Sequence, residues 1–163
     1  MSLERLLDDH RRWMKKALVE AERAYRAKEV PVGAVVVFED QVVGRGANMV
    51  EQLKDPTAHA EMIAITAACE TLGRKHLKGC TLYVTLEPCT MCAGAIVLSR
   101  IDRLVFAAQD AKAGGASSLY NIPQDSRLNH RVEIIQGVEE SHASEILEAF
   151  FRNLREKNEG MND

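Results

Sequence analysis

The stretch Pro88-Cys89-Thr90-Met91-Cys92 limits what this chain can fold into more than any other. It follows directly on Thr81-Leu82-Tyr83-Val84-Thr85-Leu86, whose β-branched and aromatic residues read as a strand. Proline opens a helix readily, because the first helical amides need no partner. Strand, proline and two cysteines one turn apart put both thiols at a helix N-terminus, where unpaired N–H groups and the helix dipole favour negative sulfur. The pattern P-C-x-x-C is expected by chance only about 0.002 times in a chain of this size and composition.

The remaining apolar pattern surrounds that unit with alternating helices and strands. Trp13, Ala17, Leu18, Ala21, Ala24 and Tyr25 recur at spacings of three and four, which predicts an amphipathic helix from Asp8 to Lys28 with Asp8 and Asp9 as caps or first-turn acids. Pro31 ends it, and Val32 to Phe38 is nearly continuous in β-branched residues, as in a strand covered on both faces. Glu39-Asp40-Gln41 turns this strand into Val42-Val43-Gly44. After a polar loop from Ala47 to Asp55, Asp55-Pro56-Thr57 supplies a helix start and Gly73 its stop. Leu104-Val105-Phe106 and Val132-Glu133-Ile134-Ile135 add two more strands. Between them Gln109 to Asn129 is a long loop, and Gly44-Arg45-Gly46 and Gly114-Gly115 read as turns, not phosphate loops. Ile146, Leu147, Phe150, Phe151 and Leu154 mark a last amphipathic helix, followed by a mobile polar tail from about residue 156. Strands interleaved with helices predict a three-layer α/β/α domain spanning residues 1–163 around a five-stranded mixed sheet. With 163 residues the chain can bury roughly 70% of its unfolded surface.

Composition narrows the functional classes. No apolar run approaches the roughly 18 residues of a membrane span, and the charged first residues make no signal peptide, so the expectation is a cytoplasmic protein with no membrane partner. There the four cysteines point to metal or catalysis in preference to disulfides. The 21 Lys and Arg against 24 Asp and Glu leave a net charge of −3, so nucleic acid must be held by a local patch.

His59-Ala60-Glu61 at the start of the second long helix completes the chemistry. An H-x-E means little alone, but in this order with P-C-x-x-C, each at a predicted helix N-terminus, it supplies a third ligand. His59, Cys89 and Cys92 leave a tetrahedral Zn2+ one position short, and water in that position loses a proton near neutral pH. Glu61 is then placed to reach the water and to carry its proton to a substrate nitrogen, the proton traffic of hydrolytic deamination. Two other readings stay open on the residues alone. Cys69 or Cys80 could close a structural zinc site and make the chain a zinc-stabilised binding module, and C-x-x-C also serves as a thioredoxin-like redox pair, though that gives His59 and Glu61 no role. His10, His76, His130 and His142 are scattered and read as surface or loop residues.

The chain resembles the bacterial tRNA-specific adenosine deaminases of the cytidine deaminase superfamily. The likeness runs from about Trp13 to Arg155 through Val30-Pro31-Val32-Gly33-Ala34, Asp55-Pro56-Thr57-Ala58-His59-Ala60-Glu61, Leu82-Tyr83-Val84-Thr85-Leu86-Glu87-Pro88-Cys89, Met91-Cys92-Ala93-Gly94-Ala95, Asp110-Ala111-Lys112 and Phe150-Phe151-Arg152. It implies a cytidine-deaminase-like fold, a homodimer, and conversion of adenosine to inosine at the wobble position of a tRNA anticodon. It also implies one Zn2+ on His59, Cys89 and Cys92, Glu61 as proton shuttle, Asn48 as a hydrogen-bond partner of the base, and Ala60, Leu86 and Glu87 as pocket-lining positions. By turn preference alone Asn48 also reads as a turn asparagine after a strand. The acidic total suits a free nucleobase or nucleoside deaminase, of guanine or cytosine type, which is the alternative. For an anticodon stem-loop the basic residues Arg152, Arg155 and Lys157 of the last helix are the expected contacts, with Arg11, Arg12, Lys15 and Lys16, and Arg74, Lys75 and Lys78, as other local clusters. Each cluster is also what a solvated surface carries.

Overall fold

Residues 2–161 are described by a computed structural model. The elements run α1 (Leu3–Arg26), β1 (Gly33–Phe38), β2 (Gln41–Ala47), a single helical turn α2 (Val50–Leu53), α3 (Ala60–Leu72), β3 (Thr81–Leu86), α4 (Thr90–Leu98), β4 (Arg103–Ala108), a short 3-10 turn (Ile122–Gln124), β5 (Glu133–Gln136) and α5 (Glu140–Gly160). The sheet order is β2-β1-β3-β4-β5. β1 pairs antiparallel with both β2 and β3, while β3, β4 and β5 are parallel. A parallel pair needs a crossover. α4 provides the one between β3 and β4, whereas β4 reaches β5 through an extended loop holding only the 3-10 turn.

Alternation along the strands fills both faces of the sheet. Ala34, Val36, Leu82, Val84, Leu104 and Phe106 pack with Ala60, Ala64 and Ala68 of α3 and Ile96 of α4. Their neighbours Val35, Val37, Tyr83, Val105 and Ala107 pack with Trp13, Met14, Ala17 and Leu18 of α1 and Ala143 of α5. The result is the expected three-layer arrangement around a five-stranded mixed sheet.

α3 lies unusually close to β2. A methyl group built on Gly46 would stand 2.1 Å from the Ala60 carbonyl oxygen, and one on Gly44 would stand 2.3 Å from that of Ala64. Helix backbone therefore rests directly on strand backbone, and the start of α3, where the candidate residues cluster, is fixed to the sheet.

Several boundaries differ from those read in the sequence. α1 begins at Leu3, five residues before Asp8, because the Ser2 hydroxyl caps it by accepting from the Arg5 amide. Its end is Arg26, with Lys28 in the left-handed conformation before Pro31 is reached. The polar loop after β2 contains α2, which ends on left-handed Lys54. α5 remains helical through Gly160, beyond the start of the polar tail. His10 is a core residue, not a surface one, and its Nδ1 lies 2.8 Å from the Tyr83 hydroxyl.

Candidate active site

Two helix N-termini converge at one end of the sheet. His59 is the N-cap of α3 and Cys89 the N-cap of α4, both in extended conformation, and neither side chain caps its own helix. Ring and thiol are thereby left free to face each other. The turn before α3 is set by Asp55, whose carboxylate accepts from the Thr57 amide at 2.8 Å and the Thr57 hydroxyl at 2.7 Å.

The Nδ1 of His59 lies 3.5 Å from the sulfur of Cys89 and 3.5 Å from that of Cys92. Ligands on a tetrahedral zinc, with Zn–S about 2.3 Å and Zn–N about 2.0–2.1 Å, stand about 3.6 Å apart, so this spacing and donor set suit that ion. Among the described residues, these three form the group whose donor atoms all fall within 4.8 Å of one another, and neither Cys69 nor Cys80 joins them. A metal held here would keep one position open. The hydrogen bond from Cys92, and then that from His59, holds the Cys89 thiol down to about 4, so one sulfur is anionic at neutral pH as a metal ligand must be. The same pairing, together with burial, pushes the Cys92 thiol up. The hydrogen bond with Cys89 raises His59.

Glu61 sits in the first turn of α3 at 4% exposure. Burial raises its pKa, which suits a carboxyl that must both take and release a proton. It lines a cavity of about 710 Å³ together with His59, Cys89, Asn48, Ala60, Leu86 and Glu87. All four positions implied as substrate-lining thus open on the space beside the candidate metal centre. Asn48 is buried; its Nδ2 donates to the Val30 carbonyl at 3.2 Å, while its Oδ1 has no partner among the described residues.

Glu87 contributes differently from what its pocket position suggests. Its carboxylate turns away from solvent and accepts from the amides of Asp110, Ala116, Ser117 and Ser118 and from the Ser118 hydroxyl. A methyl group on Gly114 would stand 2.2 Å from this carboxylate, so glycine is required there by close approach. Glu87 is what fastens the long β4–β5 loop, whose Asp110 and Ala113 also line the cavity.

Two wall components escaped the sequence reading. Phe150, Phe151 and Leu154 of α5 close one side of the cavity, although their spacing reads equally as a core stripe. Glu29 lies at 1% exposure, and its two oxygens accept from the amides of Glu51 at 2.8 Å and Gln52 at 2.9 Å. An acid between a helix end and a fully apolar strand was the available signal. Of the expected RNA contacts, Arg152 and Arg155 line a second cavity of about 860 Å³ that adjoins the first and also holds Lys112; Lys157 lines neither. Among the described residues no helix is long and apolar enough to cross a membrane.

The MafB19-like deaminase family matches residues 8–155. The tRNA-specific adenosine deaminase of Aquifex aeolicus is 54% identical over 144 residues, 88% of this chain and 94% of that protein. That of Bacillus subtilis is 48% identical, covering 89% of this chain and 90% of its own. A solved structure from work on A-to-I editing by tRNA:A34 deaminases superposes with a TM-score of 0.80 at 46% identity, covering 83% of this chain and 99% of that one. The guanine deaminase structure from Bacillus subtilis reaches 0.59 at 37% identity, with 72% and 71% covered. By sequence, by fold and by the grouping of His59, Cys89 and Cys92, the chain is a hydrolytic deaminase of the MafB19-like family and belongs to the tRNA-specific adenosine deaminases.

Proposed function

We propose that the protein converts adenosine to inosine at the wobble position of a tRNA anticodon, in the cytoplasm, with one Zn2+ on His59, Cys89 and Cys92. The observation that carries this reading is a three-ligand cluster left open toward a cavity into which the buried Glu61 also faces. When bound, zinc supplies a water acidic enough to give hydroxide at neutral pH. Glu61 would take the two protons of the attacking water in turn and pass one to the purine ring nitrogen and one to the amino group, which leaves as ammonia while the oxygen remains on carbon as the carbonyl. Asn48 orients the base through its unpartnered Oδ1, and Ala60, Leu86 and Glu87 bound the cavity around it. A zinc on one His and two Cys, with a Glu that moves protons without being a ligand, is the arrangement known for zinc nucleobase deaminases.

The anticodon backbone meets the rim of α5, where Arg152 and Arg155 flank the second cavity and Lys157 follows two residues after Arg155. A second copy of the chain covers the apolar outer face of α4, where Leu98 is 75% exposed beside Met91 and Ala95. Mass detection of inosine in an anticodon hairpin, run beside free guanine and cytidine, tests the substrate. Faster turnover of guanine would replace this reading with that of the 37% identical guanine deaminase.

A further inference from the structure

Glu29 is a fully buried acid that the deamination chemistry does not use. It lies just beyond α1, three residues after Arg26, and is 1% exposed. Among the described residues no basic side chain hydrogen-bonds it; its two oxygens instead accept from successive amides of α2, Glu51 and Gln52. These are orphan donors of a helical turn too short to satisfy its own amides. On the same strip of chain the next residue, Val30, accepts from the Asn48 side chain, and the Asn48 amide donates to the Val32 carbonyl at 3.1 Å. Segment 29–32 therefore grips segment 48–52 at four points. Glu29, Val30, Asn48, Val50 and Glu51 together form one wall of the cavity.

The grip matters because α2 has little else to hold it. None of its residues is buried, its N-cap residue Met49 makes no side-chain capping bond, and it ends on Lys54 in the left-handed region. A single exposed turn of helix is unstable alone. The Asn48 side chain has one anchor, at Val30, and leaves Oδ1 buried and unpartnered. A buried acceptor without a partner is costly unless something completes it, and the cavity it lines is where a ligand would do so.

We infer that Glu29 is a positioning residue for substrate recognition: by clamping α2 it holds Asn48 so that Oδ1 meets a donor on the bound purine. This deepens the proposed function and rests on its reading of the cavity as the base-binding site. Glu29 touches no reacting atom, so its effect falls on KM and substrate choice more than on kcat. The isosteric Glu29→Gln variant is the sharp probe. It keeps the volume but sets an NH2 against one of the two amides, so one acceptor is lost and two donors face each other.

The test is a double-mutant cycle between Glu29→Gln and Asn48→Ala, read in KM and kcat on the anticodon hairpin. Glu29→Gln alone should raise KM on the order of ten-fold, as expected for a lost hydrogen bond to a charged group, with kcat changed less. In the Asn48→Ala background the same change should have almost no further effect, because residues that act as one unit are not additive. Glu29→Asp, which keeps both acceptors, should restore part of the loss and replaces Glu29→Gln in the cycle if circular dichroism shows the latter unfolded. The cycle is also read in Kd, on whichever of hairpin, free adenosine or guanine the wild-type protein binds most tightly. Tightest binding of guanine would overturn the tRNA substrate and leave the coupling readable. Additive effects, or a lowered Tm with KM unchanged, would overturn the role of Glu29 and leave the substrate standing. Binding of none of the three would sink both.

Discussion

Two buried carboxylates two residues from the candidate zinc ligands differ because of what surrounds them. Burial dominates at Glu61 and raises it. At Glu87 burial pushes the same way, but hydrogen bonds from Ser118, Ser117 and Asp110 outweigh it and hold the carboxyl low. Glu61 is thus suited to exchange a proton, while Glu87 stays charged to bind a loop. Glu61→Gln is expected to lower turnover by roughly 10² to 10⁴, the usual range for losing a general acid–base, with zinc content unchanged near one per chain. Zinc loss along with activity would make Glu61 a ligand, contrary to its proposed role. The grouping of His59, Cys89 and Cys92 beside Glu61 was legible in the sequence because the spacing repeats a known chemical requirement. Glu29 was not, since its meaning depends on amides 22 and 23 residues away. Nor was the burial of His10, whose partner Tyr83 lies 73 residues along the chain.

The elements themselves were legible wherever apolar period and length agree, as in β1, β3 and the body of α1. Their limits depend on interactions that periodicity does not carry, such as the Ser2 cap. How α3 rests on β2 is equally a matter of contact between backbones. Gly46→Ala should force them apart and cost about 1–3 kcal/mol, the usual penalty for overpacking, and should weaken zinc binding because His59 moves with α3. Unfolding in urea with parallel zinc titration checks this; unchanged zinc affinity would separate the helix position from the site. α1 and β3 are joined by the His10–Tyr83 pair, and burial, with Arg103 adding to it and Asp9 and Glu133 opposing, lowers His10 from its ordinary 6.5. The unfolded chain therefore takes up that proton first as pH falls. This share of stability is fully present above about pH 6.5 and is lost as pH falls through the unfolded value toward the lowered folded one. Replacing His10 by Gln should make the fall in Tm between about pH 7.5 and 5.5 shallower; an equal fall in both proteins would assign the acid sensitivity elsewhere.

At the scale of the molecule, an acidic chain must present its basic residues locally to hold RNA. Hairpin affinity should weaken with salt at a log–log slope of about −0.7 for each phosphate contacted, and reversing the charges of Arg152 and Arg155 should flatten that slope while sparing zinc. Salt-independent binding would rule out the α5 rim as the contact. Leu98→Glu on the outer face of α4 is expected to convert a dimer to a monomer in light scattering; identical masses for the two proteins would place the interface elsewhere. The cavity walls come from five separate stretches, 28–32, 48–61, 86–89, 110–113 and 150–154. Synthesis from the N-terminus delivers them in that order. His59, Cys89 and Cys92 have all been made by residue 92, whereas Phe150, Phe151 and Leu154 come some sixty residues later. A nascent chain on the ribosome thus carries every candidate metal donor before the last wall of the cavity has been made, so that metal can be loaded before the chamber closes.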